Sequence, residues 1–508
     1  MPRVSIRKIF YYVVFACSAV FLFIKIQKTG IQSENEVRHR PRGRGFPIRS
    51  VRNDSSGGKD YNEGSSDFLT EELVTQKKVK KKPWYMEEGV EFPIPEDEKN
   101  SKLFPEDYVG HDRIPEQLMY LARGKKNESR KYKKILLWNG VNYWGSRPGR
   151  GIFLKEKCPV SECVLTSMRS EFLRADLVIF KDHFVMPSFN RPPNQLWMMY
   201  MLECPLHTQN FKQKDVFNWT STYRSDSTIV APYERWQYYD EDIKAKPHLK
   251  DYTANKTKGV AWFVSNCGAR NGRLKYAREL QKFIQVDIYG SCGSLQCPRS
   301  NSQSCFKMLD KDYKFYLAFE NSNCKDYITE KFFVNGLSHD VVPIVMGARK
   351  EDYERSAPYK SFIHVDDFEG PEELAKYLHK LDQNDDLYNE YFEWKSTGEF
   401  VNTKFFCRVC ALLNSPKSLD RDSKDSWYPD INEWWRGKGT CINGSWKKFE
   451  KAIAKFKSLK TSSPSSSSTS SLASITSTSS SKSKNNNSTL KITSIGSTHS
   501  TSKKSSSS

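Results

Sequence analysis

Short apolar runs alternate with amphipathic helical patterns twice along this chain, and that alternation constrains its fold more than any other feature. The second block is the more regular. Gly259–Val264, Val286–Tyr289, Phe315–Phe319, Val341–Met346 and Phe362–Val365 have the length and content of buried parallel strands. Between them, Leu274, Ala277, Leu280 and Ile284 share a helical face, as do Leu374, Tyr377, Leu378 and Leu381 after Pro371. An earlier block carries similar runs at Ile135–Trp138 and Ala175–Phe180, less evenly spaced, so its strand order stays open. Two such blocks predict an α/β protein in which two Rossmann-like domains face each other across a cleft. At 508 residues the chain exceeds what one core needs, which leaves length for unstructured extensions.

The extensions are visible in composition. Ile9–Ile24 is an uncharged apolar run behind Arg3, Arg7 and Lys8. Sixteen helical residues rise about 24 Å, enough for a thin bilayer. A cleaved signal peptide has a similarly short apolar core, but here the run leads into Lys25 and Lys28 with no small-residue cleavage site. An uncleaved transmembrane anchor over 9–26 is therefore expected, with residues 1–8 cytosolic and the rest lumenal. Residues 27–130 read as a polar, disordered stem, and serine supplies 23 of residues 461–508, so 446–508 reads as a disordered low-complexity tail. The folded domains are expected at 131–250 and 251–445.

The net charge of +20 lies largely in runs at Arg38–Arg52, Lys77–Lys82 and Arg123–Lys134. Without interleaved aromatics these are solvated linkers, and no nucleic-acid partner is expected. Of twelve cysteines, eleven lie beyond the anchor, clustered at Cys158/Cys163, Cys292/Cys297/Cys305 and Cys407/Cys410. A lumenal setting favours disulfides; the Cys407–Cys410 spacing also fits half of a zinc site, but no histidine accompanies it. An odd count leaves at least one thiol unpaired. Glycosylation sequons stand at Asn53, Asn127, Asn218, Asn255, Asn443, Asn486 and Asn487.

Three segments could carry chemistry. In the first, a strand ends at Glu320-Asn321, a polar loop follows, and Thr329 is placed to cap a helix that buries Phe332, Phe333 and Leu337. Glu330 and Lys331 then lie in its first turn, at the carboxyl end of a sheet, where ligands of α/β proteins bind. On spacing alone they also fit an exposed helix start. In the second, Ser265-Asn-Cys-Gly-Ala-Arg-Asn-Gly-Arg273 joins a strand to a helix and puts Arg273 in the opening turn, a setting for phosphate or for a plain glycine turn. It is neither a dinucleotide fingerprint nor a Walker loop. The third is Met201-Leu-Glu-Cys-Pro-Leu-His-Thr208, where Glu203 closes an apolar strand. Partial burial would raise its pKa toward that of a general base; a buried glutamate paired to arginine is the plainer alternative.

FENSNCKDYITEKFF with PIVMG, SNCGARNGRL, TYRSDSTIVAPY (222–233) and FIHVDDF (362–368) occur in the order seen in the α1,3-fucosyltransferases, and residues 130–445 resemble that family. SNCGAR, CRVCALL (407–413) and INEWWRG (431–437) resemble its animal core type. The resemblance implies a GT-B fold and an inverting transfer from GDP-β-L-fucose to O3 of the innermost asparagine-linked GlcNAc of glycoprotein N-glycans, at the Golgi membrane in single-pass type II orientation. It implies Glu203 as catalytic base, with Cys204 standing where the family motif has serine and leaving a free thiol beside the site. It places donor binding on Tyr233, Ser265, Asn266, Arg273, Tyr316, Asn321, Tyr327, Glu330 and Lys331, and ties Cys407 and Cys410 to Cys158 and Cys163. Cations can absorb the charge of departing GDP, and Asp366-Asp367 follows a strand without joining a donor loop. No metal is therefore expected to be strictly required, with Mn²⁺ left a stimulatory role. Antennary GlcNAc is the alternative acceptor. A catalytically silent glycan-binding protein is a third reading, opposed by the presence of Glu203, Arg273, Glu330 and Lys331 together. No motif sets the oligomeric state.

Overall fold

A computed structural model describes residues 81–96, 101–121, 132–142, 144–247, 250–416 and 428–461, with side chains to 455. The expected anchor over 9–26, the stem before residue 81 and the serine-rich stretch from 462 lie outside the described residues. Among the described residues, no helix is long and apolar enough to cross a membrane.

The first lobe is a parallel sheet of β1 (Lys133–Leu137), β2 (Cys163–Thr166), β3 (Leu177–Lys181), β4 (Leu196–Tyr200) and β5 (Trp219–Ser221), in the order β2-β1-β3-β4-β5. Its strands are apolar on both faces because both faces are covered. Ile135, Leu137, Ile179 and Met198 point into one buried cluster, while Leu136, Val178, Phe180, Trp197 and Met199 point into another.

The second lobe repeats the winding with β6 (Lys258–Phe263), β7 (Val286–Tyr289), β8 (Tyr313–Phe319), β9 (Val342–Met346) and β10 (Ile363–His364), ordered β7-β6-β8-β9-β10 and again parallel. Both sheets reverse strand order beside their first strand, which opens a crevice at the carboxyl ends. Helix α1 (Arg273–Leu280) covers one face with Ala277 and Leu280, and α2 (Lys350–Ser356) covers the other with Tyr353. Helix α3 (Pro371–Asp382) adds Leu374, Leu378 and Leu381 to the α1 side, as its periodicity predicts.

Three boundaries differ from the expectation. Trp84, Tyr85, Met86, Leu103, Phe104, Ile114, Leu118 and Tyr120 are buried in the first lobe's core, so part of the stretch assigned to the stem is a structural strap. Its apolar residues are spaced irregularly between prolines and charges, so no period announces them. Helices α4 (Phe405–Leu413) and α5 (Ile431–Arg436), assigned to the second domain, pack on the first lobe instead. Disulfides Cys158–Cys407 and Cys163–Cys410 hold α4 there, the pairing the resemblance implies. Finally, the stretch from 446 begins as helix α6 (Trp446–Thr461); Trp446 is buried, and its Nε1 donates to Gly347 O at 2.9 Å.

Candidate active site

Glu203 follows β4 by three residues, at the carboxyl end of the first sheet. Its Oε1 accepts hydrogen bonds from Tyr327 Oη at 2.6 Å, from the Cys204 backbone N–H at 2.8 Å and from Asn321 Nδ2 at 3.3 Å. Asn321 and Tyr327 belong to the loop that leaves β8 in the second lobe, so two sheets meet carboxyl end to carboxyl end over one carboxylate. The Glu203 side chain keeps 46% of its surface open. Burial pushes its pKa up, but the bonds from Tyr327, Cys204 and Asn321 outweigh that and hold it below the usual carboxylate value. This corrects the raised pKa expected for it: the strand end is half open and supplies three donors that the sequence pattern does not show. Tyr327 is buried against Glu320 and Glu203, which pushes its phenol far above the ordinary range and keeps it a donor.

The β8 exit loop is fixed from several sides. Disulfide Cys324–Cys441 ties it to a short antiparallel pairing, and Lys325 N donates to Thr440 O. Asp326 accepts from the Ser225 backbone and hydroxyl of the first lobe at 3.0 and 2.9 Å and from Arg355 of α2. Burial and the neighbouring Asp352 carboxylate push Asp326 up to about 6. A loop held at both lobes can present Asn321 and Tyr327 to Glu203 with little reorganisation. Asn321 Oδ1 is buried with no hydrogen-bond partner among the described residues, an acceptor available to a ligand hydroxyl.

Thr329 caps the helical turn Glu330–Phe332, its hydroxyl accepting from Lys331 N, as predicted. The same hydroxyl and the Thr329 N–H donate to Glu320 at 3.0 and 2.8 Å. Lys331 Nζ reaches Thr329 Oγ1 at 2.9 Å, Glu330 Oε1 at 3.0 Å and Glu320 Oε2 at 3.1 Å. Burial lowers its pKa, and the two carboxylates raise it by more, so the ammonium stays charged. Sequence reasoning missed Glu320, which is fully buried and supplies the fixed counter-charge that aims Lys331. The signal was its place at the end of an otherwise apolar strand.

Arg273, expected to bind the donor, is buried, and its Nε has no hydrogen-bond partner among the described residues. It is 4% exposed, and its guanidinium donates to the carbonyls of Phe319 at 2.8 Å and Asn266 at 2.9 Å. It therefore clamps the β6 exit loop to the end of β8, because the sharp turn through Gly272 (φ +78°) points the first residue of α1 inward. Disulfide Cys267–Cys292 holds the same loop, leaving Ser265 and Asn266 exposed at its tip. Tyr233 bridges the lobes from the other side, donating to Leu202 O at 3.0 Å and packing in both neighbouring cores. Tyr316 lies inside the second sheet, buried, its hydroxyl accepting from Asn335 at 3.2 Å. Asp366 and Asp367 are engaged structurally. Asp366 accepts from the Trp446 N–H at the start of α6, and Asp367 pairs with Lys350 at 2.6 Å.

Residues 130–234 match the fucosyltransferase N-terminal domain and residues 253–434 the C-terminal domain of glycosyltransferase family 10 (fucosyltransferase). A glycoprotein 3-alpha-L-fucosyltransferase A of Drosophila melanogaster is 54% identical over 382 residues, 73% of this chain and 75% of the relative. The chain belongs to the family 10 fucosyltransferases. A human 4-galactosyl-N-acetylglucosaminide 3-alpha-L-fucosyltransferase is 37% identical over 279 residues, 53% of this chain and 76% of the relative. A crystal structure of an α1,3-fucosyltransferase with GDP aligns at 18% identity and a TM-score of 0.38, over 62% of this chain and 97% of the other. As a member of the family the chain is a glycosyltransferase of fucose, and its cleft joins an ionised carboxylate to a set of aimed polar groups.

Proposed function

We propose that the chain transfers L-fucose from GDP-β-L-fucose in α1,3 linkage to the innermost asparagine-linked GlcNAc of glycoprotein N-glycans. It does so by one inverting displacement in a GT-B cleft, as a single-pass type II enzyme of the Golgi membrane. The observation that carries this reading is the Glu203 carboxylate, held by Tyr327 and Asn321 at the junction of the two sheets. A sugar hydroxyl becomes acidic as its oxygen bonds to carbon, so a carboxylate of low pKa suffices to take its proton late in that step. On the other side, Lys331 meets the charge that develops on the departing diphosphate, while Glu330, Asn321 and the Ser265–Asn266 tip offer partners for sugar and ribose hydroxyls. The likeness to the Drosophila protein over 382 residues supports the glycoprotein acceptor. The human relative's name favours antennary GlcNAc as the second reading. Mass spectrometry with linkage analysis of an N-glycopeptide, incubated with GDP-fucose and the protein, separates them. Deoxyhexose on the innermost residue supports the proposal, and addition only to the antennae overturns it.

Tyr327→Phe removes the shortest bond to Glu203 and disfavours its ionised form. The acid limb of kcat/KM should move up by about 1–2 pH units, the equivalent of one hydrogen bond to a charged group. A pH–rate profile checks this; an unmoved limb would detach Tyr327 from the base. With Asp366 and Asp367 already engaged, a chelator should leave most activity in place, and complete loss would contradict that. Lumenal chains carry glycans only where sequons are accessible. Asn218 is buried, its Oδ1 accepting from the Trp197 N–H at 2.9 Å, whereas Asn255 and Asn443 are exposed. Glycopeptide mapping should find Asn218 bare and sugar at the other two.

A further inference from the structure

Glu203, Cys204 and His207 bring a carboxylate oxygen, a thiol sulfur and an imidazole nitrogen within 4.8 Å of one another. Cys204 is the one cysteine among the described residues outside a disulfide. Its Sγ lies 3.3 Å from His207 Nδ1, which in turn lies 3.8 Å from Glu203 Oε1. Tetrahedral zinc bonds to sulfur at about 2.3 Å and to nitrogen and oxygen at about 2.0–2.1 Å, so its ligand atoms stand about 3.3–3.6 Å apart. The two separations made by His207 are already close to the edges of such a tetrahedron, and the third lies within 4.8 Å. The short 3₁₀ turn Pro205–His207 fixes the geometry by returning the His207 N–H to Cys204 O at 3.0 Å. Glu203 and His207 are exposed, which gives an ion an entry path, while Cys204 is buried and its thiol, which donates to Ser322 Oγ at 3.1 Å, would exchange that bond for the metal.

We infer that Glu203, Cys204 and His207 form an inhibitory site for a soft divalent cation of the zinc class, which captures the carboxylate that would otherwise take the acceptor's proton. The inhibition rests on Glu203 serving as base; the binding does not. Coordination replaces the S–H bond of Cys204 with a metal–sulfur bond and releases that proton to solvent, with no change of oxidation state. Mn²⁺, which favours oxygen ligands, gains little from the thiolate, so stimulation by Mn²⁺ and inhibition by Zn²⁺ are separable. The ion should compete with the glycan acceptor and not with GDP-fucose, whose expected partners lie mostly on the opposite lobe.

The test uses Co²⁺ as a spectroscopic probe and Zn²⁺ as the inhibitor, on the full chain. Co²⁺ should give a near-ultraviolet thiolate charge-transfer band that Zn²⁺ displaces and that is absent from Cys204→Ser. The Zn²⁺ concentration for half-inhibition, taken relative to each variant's own rate, should rise at least about 10–100-fold in Cys204→Ser and in His207→Gln. The His207 variant serves as the control if the Cys204 variant folds poorly. No charge-transfer band, or a band and an inhibition constant unchanged in both variants, overturns the site. A band without inhibition keeps the site and overturns the role given to Glu203.

Discussion

Replacing Glu203 with glutamine lowers turnover by at least about two orders of magnitude while leaving GDP-fucose affinity nearly unchanged. Glutamine keeps the shape and one carbonyl oxygen, so Tyr327 Oη and the Cys204 N–H retain an acceptor and the loop from β8 keeps its position. What disappears is the capacity to accept the hydroxyl proton. An interaction made only as the proton moves should reduce kcat and kcat/KM equally, the signature of a group acting in the transition state. The sign of the pH dependence follows from the lowered pKa. The wild-type carboxylate stays ionised below the ordinary glutamate range, and activity is lost only as pH falls through that lowered pKa. The variant should lose this acid limb. Steady-state kinetics with donor binding by calorimetry measure both, and a rate close to wild type would remove Glu203 from the mechanism.

How much of this was legible beforehand depended on whether local pattern or tertiary context fixed the feature. The second sheet could be read because β6, β8 and β9 are continuous apolar runs that must be covered on both faces. In the first lobe, β2 and β5 are only four and three residues long, too short to show a period. Thr329, Glu330 and Lys331 were readable because a cap and its helix are neighbours in sequence. The clamp made by Arg273 was not legible because its partners, Phe319 O at the end of β8 and Asn266 O in the β6 exit loop, are brought together only by the fold. Glu203 was found by its place at a strand end, but its pKa depends on Tyr327 and Asn321, more than a hundred residues away. Among its described residues, 84–96 and 101–120, the strap holds one short helix, Ile114–Leu118, and only the surface it covers explains its apolar residues.

Lys331→Ala separates anchoring from ligand binding. Lys331 sits between Glu320, which is fully buried, and Glu330, which is half exposed. Removing the ammonium leaves Glu320 with the Thr329 N–H and hydroxyl and the field of Arg273 but no ion pair, and breaking a buried pair costs up to about 3–5 kcal/mol. Burial already pushes the Glu320 pKa up, so the variant relieves part of that cost by taking up a proton. The single variant should therefore melt earlier, bind GDP-fucose more weakly by about 10–100-fold, as expected for one lost charge-assisted contact, and turn over more slowly. Adding Glu320→Gln removes the stranded charge and should restore most of the melting temperature without restoring donor affinity. Lys331→Arg should also stay impaired, because a planar fork cannot satisfy Thr329, Glu330 and Glu320 in the geometry of a compact ammonium. Thermal melts and donor titrations across these variants distinguish the two contributions. Recovery of donor affinity in the double variant would mean that Lys331 only shapes the loop, and the charge on the departing diphosphate would have to be met elsewhere in the cleft.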